Sequence, residues 1–213
     1  MLIFGHTGIT LGAAWLLKST LARSHSLQPR VNKAMECIES TSKMHSVQDD
    51  PSGSRARRLT FLERIDARLL LIGSLLPDLI DKPVGTFFFR ESLSSGKIFC
   101  HTLAFLLFIT LAGFCLYRSH GKTWLLILSF GTFTHLICDQ MWLTPQTLLW
   151  PVYGWTFPKH DLAYWLQNIL YALHTDPAVY VPELIGMAIL IWFALGLVRR
   201  GNVHAFIRNG QVL

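Results

Sequence analysis

The apolar run from Trp124 to Trp142 is long enough to cross a bilayer, yet it carries a histidine and an aspartate in its last turns. Its end reads Gly131-Thr-Phe-Thr-His135-Leu-Ile-Cys-Asp139. In a helix, residues four apart share a face, so the His135 imidazole and the Asp139 carboxylate point the same way, a two-ligand geometry. A charged acid inside a spanning helix costs roughly 2.5 kcal/mol or more, so the pair calls for a partner, a cavity or a metal ion.

The rest of the chain agrees with a membrane setting. Of its 213 residues 51% are hydrophobic and 15% charged, and the mean hydropathy is +0.38; an ordinary soluble domain carries about 25% charged residues. The net charge of +6 does not point to nucleic acid, because the basic residues sit mostly in one loop and at helix ends, where topology and anionic lipid account for them. The four cysteines, Cys37, Cys100, Cys115 and Cys138, show no CxxC spacing, so neither a disulfide framework nor a thiolate zinc site is expected.

Taken in order, the chain predicts an all-α, polytopic membrane protein of about five membrane segments plus one interfacial amphipathic helix. It forms a single domain over 1–213 with a polar insertion at about 18–58. Met1 to Leu17 is apolar without a basic leader and reads as a retained segment holding His6. Thr60-Phe-Leu-Glu63 has the pattern of a capping box opening the second span, which Pro77 is expected to break just before Asp78-Leu-Ile-Asp81. Irregular backbone at membrane depth is tolerated where it lines a cavity, so the two acids mark a site, with Lys82, Arg90 or a divalent cation as counter-charge. The third span, about Ile98 to Tyr117, is expected to hold His101 in its first turn, and a basic connection from Arg118 to Lys122 leads to the fourth. Beyond Thr144 the chain is rich in Trp, Tyr and Pro, and Asp161 can cap a helix lying in the interface through Leu162, Trp165, Leu166, Ile169, Leu170 and Leu173. The last span is expected over about Glu183 to Val198, before Arg199-Arg200. His25, His45, His120 and His174 read as solvated side chains, and His160 with Asp161 as a reserve pair only.

Counting five spans puts the basic insertion, the Arg118–Lys122 connection and the Arg199-Arg200 end on one side, the cytoplasmic one by the positive-inside rule. His6, Asp78, Asp81, His101, His135 and Asp139 then all fall in the outer half of the membrane, as one shared site. Imidazole and carboxylate without thiolate suit zinc, or manganese or iron, and three histidines with three aspartates allow one or two ions. Such a site can activate water and polarise an ester oxygen. An aspartate left outside the coordination sphere, Asp81 or Asp139, is expected to act as general base, and Arg90 to stabilise charge on a phosphate.

On these residues the sequence resembles the family of bacterial and archaeal inner-membrane-associated metal-dependent hydrolases. The features that carry the resemblance are His6-Thr-Gly8, Gly73-Ser-Leu-Leu-Pro-Asp-Leu-Ile-Asp81, His101-Thr102, His135-Leu-Ile-Cys-Asp139, Thr144-Pro145 and Trp150-Pro151. It implies a membrane-bound hydrolase with His6, Asp78, Asp81, His101, His135 and Asp139 as the metal set. Two departures stand out. Members tend to carry a His-Arg pair shortly before the histidine of the third span, where this chain has Ser95-Gly-Lys-Ile-Phe-Cys100, and the insertion after the first span is long.

The reading that follows is a metal-dependent hydrolase acting on a phospholipid or other lipid-linked ester in the inner membrane, with membrane lipid as its partner. A divalent-cation transporter and a membrane scaffold that holds metal for stability are the alternatives; no self-similarity between the halves favours the transporter. A histidine-nucleophile lipid phosphatase also uses His-x-x-x-Asp, but Pro51-Ser-Gly-Ser54 lacks the histidine that type requires.

Overall fold

The computed structural model describes residues 2–20, 65–85, 95–154, 157 and 165–210. Among them every regular element is helical. The helices are α1 (3–20), α2 (Ala67–Pro83), α3 (Leu103–His120), α4 (Trp124–Cys138), the short α5 (Pro145–Leu148), α6 (Trp165–Thr175), α7 (Pro177–Arg199) and α8 (Val203–Asn209).

Helix α4 is the centre, and small or hydroxylated residues let its neighbours approach. A Cβ on Gly131 would sit 2.6 Å from the Gly73 backbone, and one on Gly73 would sit 2.7 Å from the Leu128 carbonyl, so only glycine permits the α2–α4 crossing. Hydroxyl pairs tie α4 to two more helices, Thr110 to Ser129 at 2.6 Å and Thr10 to Thr134 at 2.7 Å. Small residues and polar side chains replace the hydrophobic drive that lipid removes. Helix α1 packs on α7 where Gly8 meets Gly186 backbone to backbone.

Caps explain the boundaries. Asp66 accepts from the Arg68 N–H and opens α2, while the Thr60–Glu63 pattern lies outside the described residues. Thr102 accepts from the Phe105 N–H at 3.1 Å and opens α3, so His101 precedes this helix rather than lying in its first turn. The helix runs on to His120 and stops at Gly121, whose φ of 66° suits glycine; the basic connection is therefore shorter than expected. Helix α4 ends at Cys138 with Asp139 as its C-cap, four residues short of Trp142. Asp176 and Pro177 start α7 earlier than the expected Glu183.

Pro77 does not break α2, which continues to Pro83. A proline inside a helix removes one N–H and pushes aside the carbonyl four residues back, here that of Gly73. Thr132 on α4 lies 3.4 Å from that carbonyl oxygen, and the next carbonyl, Ser74, accepts from His135 at 2.6 Å. The proline thus turns backbone acceptors of α2 toward α4.

Among the described residues two helices, α3 and α7, are long and apolar enough to cross a membrane, and α4 is apolar but shorter. Their outer faces carry Leu107, Phe108, Leu111 and Phe114 on α3, and Leu184, Ile191, Trp192 and Val198 on α7, all exposed. Helix α6 follows the expected pattern only in part: Ile169 and Leu173 are half-buried and Leu170 is exposed, while Asp161 and Leu162 lie outside the described residues.

One end of the bundle gathers the start of α2, the α3–α4 turn and α8. Arg68 donates to the Ile207 carbonyl at 2.7 Å, and Asp66, Lys122, Trp124 and Asn209 line a shallow cleft there. The opposite end holds His6, Asp78, Asp81, His101, His135 and Asp139.

Candidate metal centre

Four chain segments meet at that end. Helix α1 brings His6, α2 brings Asp78 and Asp81, the turn before α3 brings His101, and the end of α4 brings His135 and Asp139. The three histidines are fully buried and Asp81 is 1% exposed. Groups this polar, placed out of water, need tight partnership.

Each of the two central histidines has its tautomer set by what lies behind it. His135 Nδ1 is 2.6 Å from the Ser74 carbonyl oxygen, which can only accept, so Nδ1 carries the proton. His101 Nδ1 is 2.7 Å from Asp81 Oδ2, and the carboxylate likewise accepts. In their neutral forms both rings then turn an Nε2 lone pair inward, and these two nitrogens stand 3.2 Å apart. Two acceptors cannot hydrogen-bond to one another; a proton on one ring or a cation between them resolves the contact.

The remaining donors converge on the same place. Asp78 Oδ1 is 3.5 Å from His101 Nε2 and 3.9 Å from His135 Nε2. Asp139 Oδ2 is 3.8 Å and 3.9 Å from the same two atoms. A tetrahedral zinc with bonds of about 2.0–2.1 Å places neighbouring nitrogens roughly 3.3 Å apart, so the histidine pair fits such an ion. Two three-residue groups offer ligand atoms within 4.8 Å of one another, His6 with Asp78 and His135, and His101 with His135 and Asp139. His135 belongs to both.

Asp81 stands behind His101, away from the ligand position. Its oxygens accept from the Ile98 N–H at 2.8 Å, the Cys100 N–H at 3.0 Å and the His101 N–H at 3.2 Å as well as from the ring. This carboxylate fixes the turn before α3 and aims the His101 ring, the outer-shell arrangement of metal sites; it does not occupy the ligand or base position expected from the sequence. His6 stacks on His135 with ring centres 4.0 Å apart, and its Nε2 is 3.2 Å from Asp139 Oδ1. Arg90 lies outside the described residues, as do His25, His45 and His160. His120 and His174 are exposed and stand apart from the cluster.

Two contributors, Lys97 and Glu183, escape a reading of the sequence, and a third, Lys82, does not. Lys97 Nζ is 2.7 Å from Asp139 Oδ2, a contact across the fold with no local signal. Lys82, considered as counter-charge, is 2.7 Å from Asp78 Oδ2, and its i,i+4 spacing on one helix is legible. Glu183 on α7 is 5% exposed and accepts from the Leu2 and Gly5 N–H groups at the start of α1. It holds the first turn that carries His6.

Compared with curated proteins and with solved structures, the chain has no significant match. A family model described as YdjM inner membrane protein matches residues 44–205. That stretch includes Asp78, Asp81, His101, His135 and Asp139 and leaves His6 outside. With most of its length matched, the chain belongs to the YdjM inner membrane protein family.

Proposed function

We propose that this inner-membrane protein is a metal-dependent hydrolase acting on a phospholipid or other lipid-linked ester. The observation that carries the reading is the pair of inward-facing Nε2 atoms 3.2 Å apart on His101 and His135. Both Nδ1 protons are committed behind them, and carboxylate oxygens of Asp78 and Asp139 stand beside them.

In this reading His101, His135, Asp78 and Asp139 hold a divalent cation, most naturally zinc, and His6, beside Asp78 and Asp139, offers a nitrogen for a second. When bound, the cation supplies Lewis-acid polarisation of an ester oxygen and lowers the pKa of a water toward about 7. Asp81 and the Ser74 carbonyl keep the two imidazoles in the right tautomer. Asp139 shares its Oδ1 with His6 Nε2 at 3.2 Å, so a proton taken up from water by this carboxylate has an imidazole to move to.

Helices α1 to α4 and α7 are the five membrane segments of this reading. The basic end of the bundle faces the cytoplasm, and the cluster at the other end opens toward the extracytoplasmic headgroups, where a lipid ester would present itself.

The test is turnover of a lipid phosphoester and a lipid carboxylic ester by metal-loaded protein in nanodiscs, beside metal flux into proteoliposomes. Hydrolysis lost in His135→Ala, without flux, supports the proposal. Flux without hydrolysis supports the transporter, and neither activity in metal-loaded protein leaves the scaffold.

A further inference from the structure

We propose that Lys82 and Lys97 form an anion-binding rim that takes the phosphate of the substrate, which makes that substrate a phosphoester rather than a carboxylic ester. The inference rests on the metal reading above.

Among the described residues, the two lysines are the exposed layer of the cluster. Their side chains are 45% and 38% exposed, against 13% for Asp78 and 3% for Asp139, the carboxylates they touch. They rise from one rim: the Lys82 stem passes 3.6 Å from where a Cβ on Gly96 would lie, and Gly96 directly precedes Lys97. The two ammonium groups are, among the described residues, the exposed charges that touch the cluster's carboxylates.

Charge decides what they admit. Asp78, Asp81 and Asp139 against Lys82 and Lys97 leave one net negative charge with neutral histidines; a divalent cation turns this into one net positive charge. Asp139 Oδ2, which Lys97 contacts at 2.7 Å, is also the oxygen facing both Nε2 atoms. Lys97 and a cation held at that oxygen would compete for it, and the flexible four-carbon stem of Lys97 could carry its ammonium outward. Phosphate monoesters carry about −1.5 to −2 charges near neutral pH, whereas a carboxylic ester carries none at the reacting group. Only with the two ammonium groups counted is the loaded site net positive, and that total suits the former. Phe99, two residues beyond Lys97, packs edge-on to Trp150 at 5.3 Å and offers an apolar neighbour for a lipid-borne phosphate.

The experiment uses the full chain in phosphatidylcholine nanodiscs loaded with zinc, as wild type, Lys82→Met, Lys97→Met and the double variant. Metal per chain is measured by elemental mass spectrometry, and inorganic phosphate binding by calorimetry on the same samples. Expected is unchanged metal content with phosphate affinity falling about tenfold per lysine removed. Nanodiscs containing phosphatidic acid form the second arm. Competition with inorganic phosphate identifies a lipid headgroup as the source of the phosphate, and absence of competition identifies a soluble one. Full phosphate affinity in the double variant with metal retained overturns the proposal and leaves the metal site standing. Metal loss on removing either lysine also overturns it, since the lysines would then be structural. Absence of zinc from the wild type is the separate failure of the metal reading itself.

Discussion

His135 donates its Nδ1 proton to the carbonyl oxygen of Ser74 at 2.6 Å, a bond from the last full turn of one helix to the backbone of another. The acceptor lies beside the carbonyl that Pro77 displaces, so a feature resembling a helix break instead orients a candidate ligand. Replacing Pro77 with Ala restores the N–H and draws the α2 carbonyls back into the helix. The expected result is a protein at least as resistant to heat as the wild type that binds zinc more weakly. Thermal unfolding and zinc titration on one preparation check both halves, and unchanged zinc affinity would disconnect Pro77 from the site.

Asp81 is the carboxylate behind His101, and its role separates from that of a ligand. Outer-shell partners of this kind typically change metal affinity about 10–100-fold. Asp81→Asn should therefore weaken zinc binding within that range, while His101→Ala removes it. Equal loss in both variants would place Asp81 among the ligands after all.

Gly131 crosses Gly73 so closely that an added methyl would lie 2.6 Å from backbone atoms that cannot step aside. Gly131→Ala should cost about 1–3 kcal/mol of stability, the usual range for overpacking. Denaturant titration in mild detergent measures it. A neutral result would mean that α2 and α4 sit farther apart than described.

Glu183 satisfies the N–H groups of Leu2 and Gly5 from a different helix. Leaving buried donors without an acceptor costs roughly 1–3 kcal/mol each, so Glu183→Ala should fray the start of α1. Amide hydrogen exchange should quicken over residues 2–8 and not in α3. Because His6 sits in that turn, any share of metal binding that depends on it should fall with it.

Asp66 gives the pH dependence at the other end of the bundle. Burial pushes its carboxyl up, but hydrogen bonds and charge from Arg68 outweigh this and hold it below the ordinary value. A depressed native pKa stabilises above the unfolded value, about 3.9, and that contribution is lost as pH falls through the native one. Asp66→Asn should accordingly lower the unfolding temperature near neutral pH and make no difference in strong acid. An equal deficit at both pH values would assign the effect to capping geometry alone.

Much of this was legible in the sequence, for a physical reason. The all-helical membrane character follows from apolar runs, and His135 and Asp139 share a face because helical periodicity is local. What stayed hidden is what depends on chain reversal. Asp81 and Asp78 look equivalent at three-residue spacing, and only the fold turns one toward the Nε2 pair and the other onto the turn before α3. Lys97 sits on Asp139 through a contact no spacing rule foretells. The continuation of α2 past Pro77 is hidden because a proline's effect depends on whether a neighbouring helix takes over the carbonyls it frees, as Thr132 and His135 on α4 do.

The most direct measurement is zinc per chain by elemental mass spectrometry on nanodisc-embedded wild type, His101→Ala and His135→Ala, with thermal unfolding run alongside to show that each is folded. The account predicts one or two equivalents in the wild type and loss in both variants, since their Nε2 atoms face one another across 3.2 Å. A folded wild type that takes up no zinc, manganese or iron would contradict it, and the histidine pair would then be held by a proton shared between the rings.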